Sequence, residues 1–221
     1  MNLIITCEHA GHEVPEEFLN LFQGQEEVLH SHRGWDPGAL DISQYLAKHL
    51  GAPLYYQPVT RLLIEMNRSL DSPELFSEFT RNLPSLQQQK IIQDYYHPYR
   101  DRLLTNISTL PKPVVHLSIH SFTPVWKGEV RATDIGLLFD PDRKHEAMFC
   151  STMQQSLNRL GSFQIDFNKP YLGTDDGFTT SLRTLFDDES YIGIEVEVNQ
   201  KYAQQFEPIA SVLAVAISAS Q

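Results

Sequence analysis

Histidines and carboxylates at the ends and along the faces of apolar strands are the residues of this chain best able to do chemistry. The run Cys7-Glu8-His9 closes an apolar stretch and opens a loop, Ala10-Gly11-His12. Further on, His116, Ser118 and His120 alternate with Val115, Leu117 and Ile119, so a strand over 113–120 carries its polar residues on one face. A third run, 191–198, sets Gly193, Glu195 and Glu197 on one face and Ile194, Val196 and Val198 on the other. A carboxylate in the middle of an apolar strand is expensive to bury unless it is paired or metal-bound, and two on one face need a reason. Two histidines and one carboxylate meet the needs of a catalytic zinc, which takes three nitrogen or oxygen ligands and keeps one position open. A further carboxylate, left unligated, can accept a proton from water.

Taken singly, each of these residues has a plainer reading. A lone histidine at a strand end is usually a hydrogen-bonded structural residue. The Glu195/Glu197 pair can also be read as the exposed face of an edge strand. Asp36, directly before Pro37, is on its own a helix N-cap. Cys7 close to His9 raises the thought of a thiol nucleophile, but its place inside an apolar strand favours a buried core cysteine.

The elements that would position these groups alternate short β-rich runs with longer helical ones, the pattern of an α/β domain. A buried strand is expected over 2–7. A helix is expected over 37–50, with Asp36 as its cap, Pro37 as its first residue and Gly51 at its end. Strands are expected over 53–58 and 62–66, and a long helix from about 85 to 107 interrupted or kinked at Pro98. Strands over 113–120, 133–139 and 191–198 and helices over 144–160, 177–186 and 201–219 complete the reading. Strand C-termini in such sheets form the binding crevice, and His9 and His120 both fall there.

Composition narrows the function. The 221 residues show no linker-like shift and read as one domain, 1–221. A formal net charge of −11 argues against a nucleic-acid partner, which would meet a basic face. It is compatible with a small anionic substrate, because a few local arginines can reverse the field inside a pocket. The start lacks a basic region followed by a long apolar run, and no stretch approaches the roughly 18 apolar residues of a membrane helix. With Cys7 and Cys150 as the sole cysteines, the expectation is a cytoplasmic protein. The oligomeric state has no signature in the sequence.

Six segments, in order, resemble the successive blocks of the N-formylglutamate amidohydrolase family. They are Cys7-Glu8-His9-Ala10-Gly11-His12-Glu13-Val14-Pro15, Gly34-Trp35-Asp36-Pro37-Gly38-Ala39, Thr60-Arg61-Leu62-Leu63-Ile64-Glu65-Met66-Asn67-Arg68, His97-Pro98-Tyr99-Arg100, His120-Ser121-Phe122-Thr123-Pro124 and Gly193-Ile194-Glu195-Val196. The resemblance implies a three-layer α-β-α sandwich with a mixed, mostly parallel central sheet, like that of the zinc carboxypeptidases and phosphorylase/hydrolase-like proteins. It implies one zinc ion held by His9, Asp36 and His120, with Glu195 as general base. It implies a substrate site around Arg61, Asn67, Arg68, Arg100 and Glu197, in which arginines pair with substrate carboxylates. The expected reaction is hydrolysis of the amide of N-formylglutamate or a similar N-acylated acidic amino acid. Glu197 stands where the family commonly has arginine, His12 where it commonly has asparagine, and Arg183 where histidine is frequent. The rival readings are another zinc amidase or carboxypeptidase-type hydrolase, and an inactive binder of an acidic metabolite.

Overall fold

Alternating apolar residues decide which side of the sheet each helix covers. The computed structural model describes residues 1–220. The elements run β1 (Asn2–Cys7), the short α1 (Glu26–Leu29), α2 (Ala39–Leu50), β2 (Leu54–Tyr56), α3 (Ser85–Ile91), α4 (His97–Thr109) and β3 (Val114–Phe122). They continue with β4 (Val125–Trp126), β5 (Glu129–Val130), β6 (Ile135–Leu138), α5 (Lys144–Leu160), β7 (Ile165–Phe167), α6 (Phe178–Arg183), β8 (Tyr191–Asn199) and α7 (Glu207–Ser220). Six strands form one sheet in the order β2-β1-β3-β8-β6-β7, and β4 pairs with β5 as a separate hairpin. The first four strands of that order are parallel, β6 joins β8 antiparallel, and β7 is parallel to β6. The sheet is therefore mixed and mostly parallel, the central layer of an α-β-α sandwich.

One face of the sheet packs on α2, α5 and α7. Val115, Leu117 and Ile119 of β3 and Ile192, Ile194, Val196 and Val198 of β8 meet Leu46, Met153 and Leu213 there. On the other face, Ile4 and Val114 pack with Ile91, Leu103 and Ile107 of the α3–α4 arm, with Phe178 and with the buried Leu62–Met66 segment. That second face also carries His116, Ser118, His120, Glu195 and Glu197, all buried. Polar residues lie on the second face because the strict alternation reserves the first for apolar packing.

Four expected boundaries shift for identifiable reasons. Residues 62–66 are turns rather than a strand. Their apolar side chains enter the core while Arg61, Glu65 and Asn67 turn toward the strand ends, a division that a pleated strand does not need. The helix expected from Pro37 begins at Ala39, after Gly38 in the left-handed region at φ 83°. Asp36 does not cap it with its side chain, which is committed elsewhere. The helix expected with a break at Pro98 is continuous from α3 to α4 through a π-helical turn at Ile92–Tyr96, and Pro98 falls in the first turn of α4. A wider turn there absorbs the missing N–H of proline. The last helix starts at Glu207 rather than 201, after a 3-10 turn at Gln200–Tyr202.

Candidate functional site

Strand order places the site. β1 has β2 on one side and β3 on the other, reached by connections over opposite faces, so a crevice opens beyond the C-termini of β1 and β3. His9 lies two residues beyond the end of β1, and His120 lies near the end of β3. Asp36 reaches the same place from the loop before α2: its N–H donates to the carbonyl of His9 at 3.0 Å, and Ser121 N–H donates to its carboxylate at 3.3 Å. The left-handed Gly38 lets the chain turn away immediately afterwards, and a Cβ there would stand 2.8 Å from the Ala203 Cα.

The ligand-type atoms of His9, Asp36 and His120 lie within 4.8 Å of one another. Asp36 Oδ2 is 3.2 Å from His9 Nδ1 and 3.0 Å from His120 Nδ1, and the two Nδ1 atoms are 3.1 Å apart. Tetrahedral zinc with bonds of about 2.0–2.1 Å separates its ligands by about 3.3 Å, so these spacings suit it. The outer nitrogens are also engaged. His9 Nε2 meets Glu65 Oε1, and His120 Nε2 lies 2.9 Å from Ser118 Oγ and 3.4 Å from Glu8 Oε2. Carboxylates behind both imidazoles favour the tautomer that leaves each Nδ1 lone pair free for an ion. The donor set fits one divalent metal.

The charges around this cluster are matched. Burial alone would lower the pKa of both histidines; Glu65 and Asp36 hold His9 above its ordinary value, and Asp36 with Glu8 holds His120 well above. Burial would raise Asp36, Glu8 and Glu65, but the histidines hold Glu8 down, the histidines with Arg61 hold Asp36 down, and Arg61 ahead of His9 holds Glu65 down, so all of them lie below the ordinary carboxylate range. Arg61 bonds Glu65 Oε2 through Nε at 2.7 Å and Asp36 Oδ1 through a terminal nitrogen at 3.2 Å. Tyr99 O–H donates to Glu8 at 2.9 Å from the far side.

A cavity of about 170 Å³ lies over the cluster, lined among others by Asn67, Arg68, Tyr171, Asp176, Glu195 and Glu197. It shares Asp36, Arg61, Arg68, Ser121 and Tyr171 with an outer groove of about 600 Å³. Glu195 Oε1 accepts a hydrogen bond from Thr179 Oγ1 at 2.7 Å. Glu197 is held differently. Its Oε2 is buried without a hydrogen-bond partner, and burial, with Asp36 and Glu195 close by, pushes its pKa up to about 7.

Of the remaining residues singled out in the sequence, Arg61 and Arg68 line the cavity, and Asn67 accepts from Phe178 N–H at 2.6 Å at its wall. Arg100 stands behind the wall instead, donating to the carbonyls of Met66 and Arg68 with Phe178 4.0 Å from its guanidinium carbon. His12 packs against His30 and Trp35, outside the cluster. Arg183 binds Glu146 and the carbonyls of Gly173 and Gly193. Cys7 is fully buried. Sequence reasoning assigned no role to Glu8, Glu65, Thr179 or Tyr171. A lone carboxylate inside the apolar run 62–66 was a signal for Glu65; nothing local pointed to Tyr171.

Fold and site together define an α-β-α domain with a candidate metal centre at its strand C-termini. The chain belongs to the N-formylglutamate amidohydrolase family, whose model matches residues 1–203. It is similar to the crystal structure of a gene product of Agrobacterium tumefaciens, at 26% identity and a TM-score of 0.83, over 99% of this chain and 88% of that one. Weaker likenesses are the CwlD amidase from Clostridioides difficile in complex with the GerS lipoprotein and bovine thrombin-activatable fibrinolysis inhibitor in complex with tick carboxypeptidase inhibitor. Each has 12% identity and a TM-score of 0.44 over 100% of this chain, covering 96% and 82% of the respective partner. No curated protein matches the chain. Among the described residues no helix is long and apolar enough to cross a membrane.

Proposed function

We propose that the protein is a metal-dependent amidohydrolase that releases the amino acid from an N-acylated acidic amino acid such as N-formylglutamate. The observation that carries this reading is the convergence of His9, Asp36 and His120 under a cavity that also holds Glu195. His9, Asp36 and His120 would hold one zinc ion, which would supply a lowered pKa for a water and polarisation of the amide carbonyl. Glu195 takes a proton from the attacking water and returns it to the amide nitrogen as the C–N bond breaks, leaving a carboxylic acid and a free amine. Thr179 fixes one oxygen of Glu195, which keeps the carboxylate in one orientation for both transfers. Glu65 and Glu8 orient the two imidazoles, and Arg61 balances the charge of Glu65 and Asp36.

Arg68 is the residue for a substrate carboxylate. Its partner Glu74 is 69% exposed along the side chain, and an ion pair of that kind contributes only about 0–1 kcal/mol, so a substrate can displace it. Glu197 offers a buried acceptor to an N–H of the substrate rather than a charge to its carboxylates. Asn67 shapes the wall beside His120.

The test is turnover of N-formylglutamate by metal-quantified protein, with Glu195→Gln beside it. Glu195→Gln keeps its metal and its fold and loses roughly 10²–10⁴ in kcat, the usual worth of a general base. Absence of turnover on every N-acyl-glutamate tried would overturn the substrate class. An active Glu195→Gln with an inactive Glu197→Gln would move the base to Glu197.

A further inference from the structure

Arg131 is a cation without a counter-ion beside the outer groove. Arg33 and Arg81 are paired with Glu78, Arg61 with Asp36 and Glu65, and Arg68 with Glu74. Among the described residues Arg131 forms no ion pair; its side chain has only long contacts, at 3.5 Å to Thr123 Oγ1 and 3.4 Å to Tyr171 O–H. Three rings surround it instead: its guanidinium carbon lies 5.6 Å from the centre of Phe122, 5.4 Å from Trp126 and 5.4 Å from Tyr171. Those rings line the groove, and Tyr171 lines the inner cavity as well. Aromatic faces hold a guanidinium in place without neutralising it, so most of its donors stay available to an anion.

The local backbone is built to hold this arrangement. Lys127 and Gly128 turn the β4–β5 hairpin with both residues at positive φ, 51° and 84°, which is the tight turn that pairs Trp126 with Glu129. Trp126 also meets the ring of His32 edge-on at 5.9 Å. Arg131 N–H donates to the Pro124 carbonyl at 2.9 Å, and its own carbonyl accepts from Asn199 at the end of β8. Asn199 follows Glu195 and Glu197 on the same strand face, so the backbone of Arg131 is tied to the strand that carries both carboxylates.

We propose that Arg131 recognises the second carboxylate of a dicarboxylic substrate, while Arg68, which lines the groove and the cavity together with Tyr171, takes the first. The choice of ligand rests on the acidic amino-acid reading above. It gives the substrate two anion contacts at the rim and keeps its carboxylates away from Glu195 and Glu197 within. The aromatic cage supplies the rigidity that a lone surface arginine lacks, whereas Arg61 is already paired with two buried carboxylates.

The experiment is calorimetric titration of the metal-loaded protein, with Arg131 (wild type at this position) or Arg131→Met, in the Glu195→Gln background so that the ligand is not consumed. The ligands are N-formylglutamate and N-formylglutamine, which differ by one carboxylate, and hydrolysis of both is measured alongside with the proteins that keep Glu195. Wild type is expected to bind N-formylglutamate 10- to 100-fold more tightly, the range for a hydrogen bond to a charged group. In Arg131→Met the two ligands are expected to bind alike; Arg131→Gln takes its place where the methionine variant does not fold. A wild type that binds both ligands alike, or a variant that keeps the preference, overturns the assignment. An Arg131-dependent preference without hydrolysis of either compound leaves the subsite standing and removes the amidohydrolase reading.

Discussion

Glu65 supports the candidate metal centre from behind one of its histidines. Its Oε1 meets His9 Nε2 and also accepts from the Asn67 N–H at 3.0 Å, while Arg61 holds its other oxygen. The carboxylate thus fixes the His9 ring and raises the basicity of Nδ1, the atom facing Asp36 and His120. Glu65→Gln keeps the shape and removes the charge. We expect it to weaken zinc binding by about 10- to 100-fold, the usual worth of such a partner. Competition against a chromophoric chelator measures this, and an unchanged affinity would free His9 from any dependence on Glu65. In the sequence, Glu65 was visible only as a carboxylate in an apolar run, because its partner His9 lies 56 residues away.

At the scale of elements, the placing of Glu195 depends on the junction between the 168–177 loop and α6. Gly177 precedes α6, and a Cβ at that position would lie 2.9 Å from Glu195 Oε1 and 3.3 Å from Asn67 Oδ1. Backbone conformation is not the constraint, since its φ of −160° is open to any residue; the close approach of two functional side chains is. Gly177→Ala is expected to shift the Glu195 carboxylate away from Thr179 and to lower kcat by about tenfold or more, as misplaced catalytic groups do. Metal content should stay at the wild-type level. A variant with full kcat would mean that the carboxylate has room to give way. The alternation in β3 and β8 had already set which face Glu195 occupies, but the contact with Gly177 comes from a loop that no periodicity describes.

For the molecule as a whole, the candidate metal centre sits on a fold that stands on its own packing. Two apolar cores flank the sheet, and the three ligand residues already contact one another or buried partners. Stripping the metal with a chelator should abolish turnover while near-ultraviolet circular dichroism and cooperative unfolding persist. Zinc added back should restore activity and raise stability by about 2.7 kcal/mol at a free concentration of about one hundred times Kd. Chelation that unfolds the protein, or that leaves turnover intact, would contradict this account.

The sequence by itself determined the alternation of strands and helices and the sidedness of single strands. Period-two alternation is a local property, and it set His116, Ser118 and His120 on one face of β3 and Glu195 and Glu197 on one face of β8; the pairing of β3 with β8 then put both sets on the face opposite the α2–α5–α7 core. The ordered motif blocks carried the family as well. The motif blocks implied that Asp36, which reads locally as a helix cap, joins His9 and His120; the tertiary structure supplied the contacts, turning its carboxylate to histidines 27 and 84 residues away. It alone set Arg61 between Asp36 and Glu65, Arg100 behind the wall, and Arg131 among three rings. The physical reason is that such contacts depend on strand order and on where loops return, and neighbouring residues along the chain do not encode those distances.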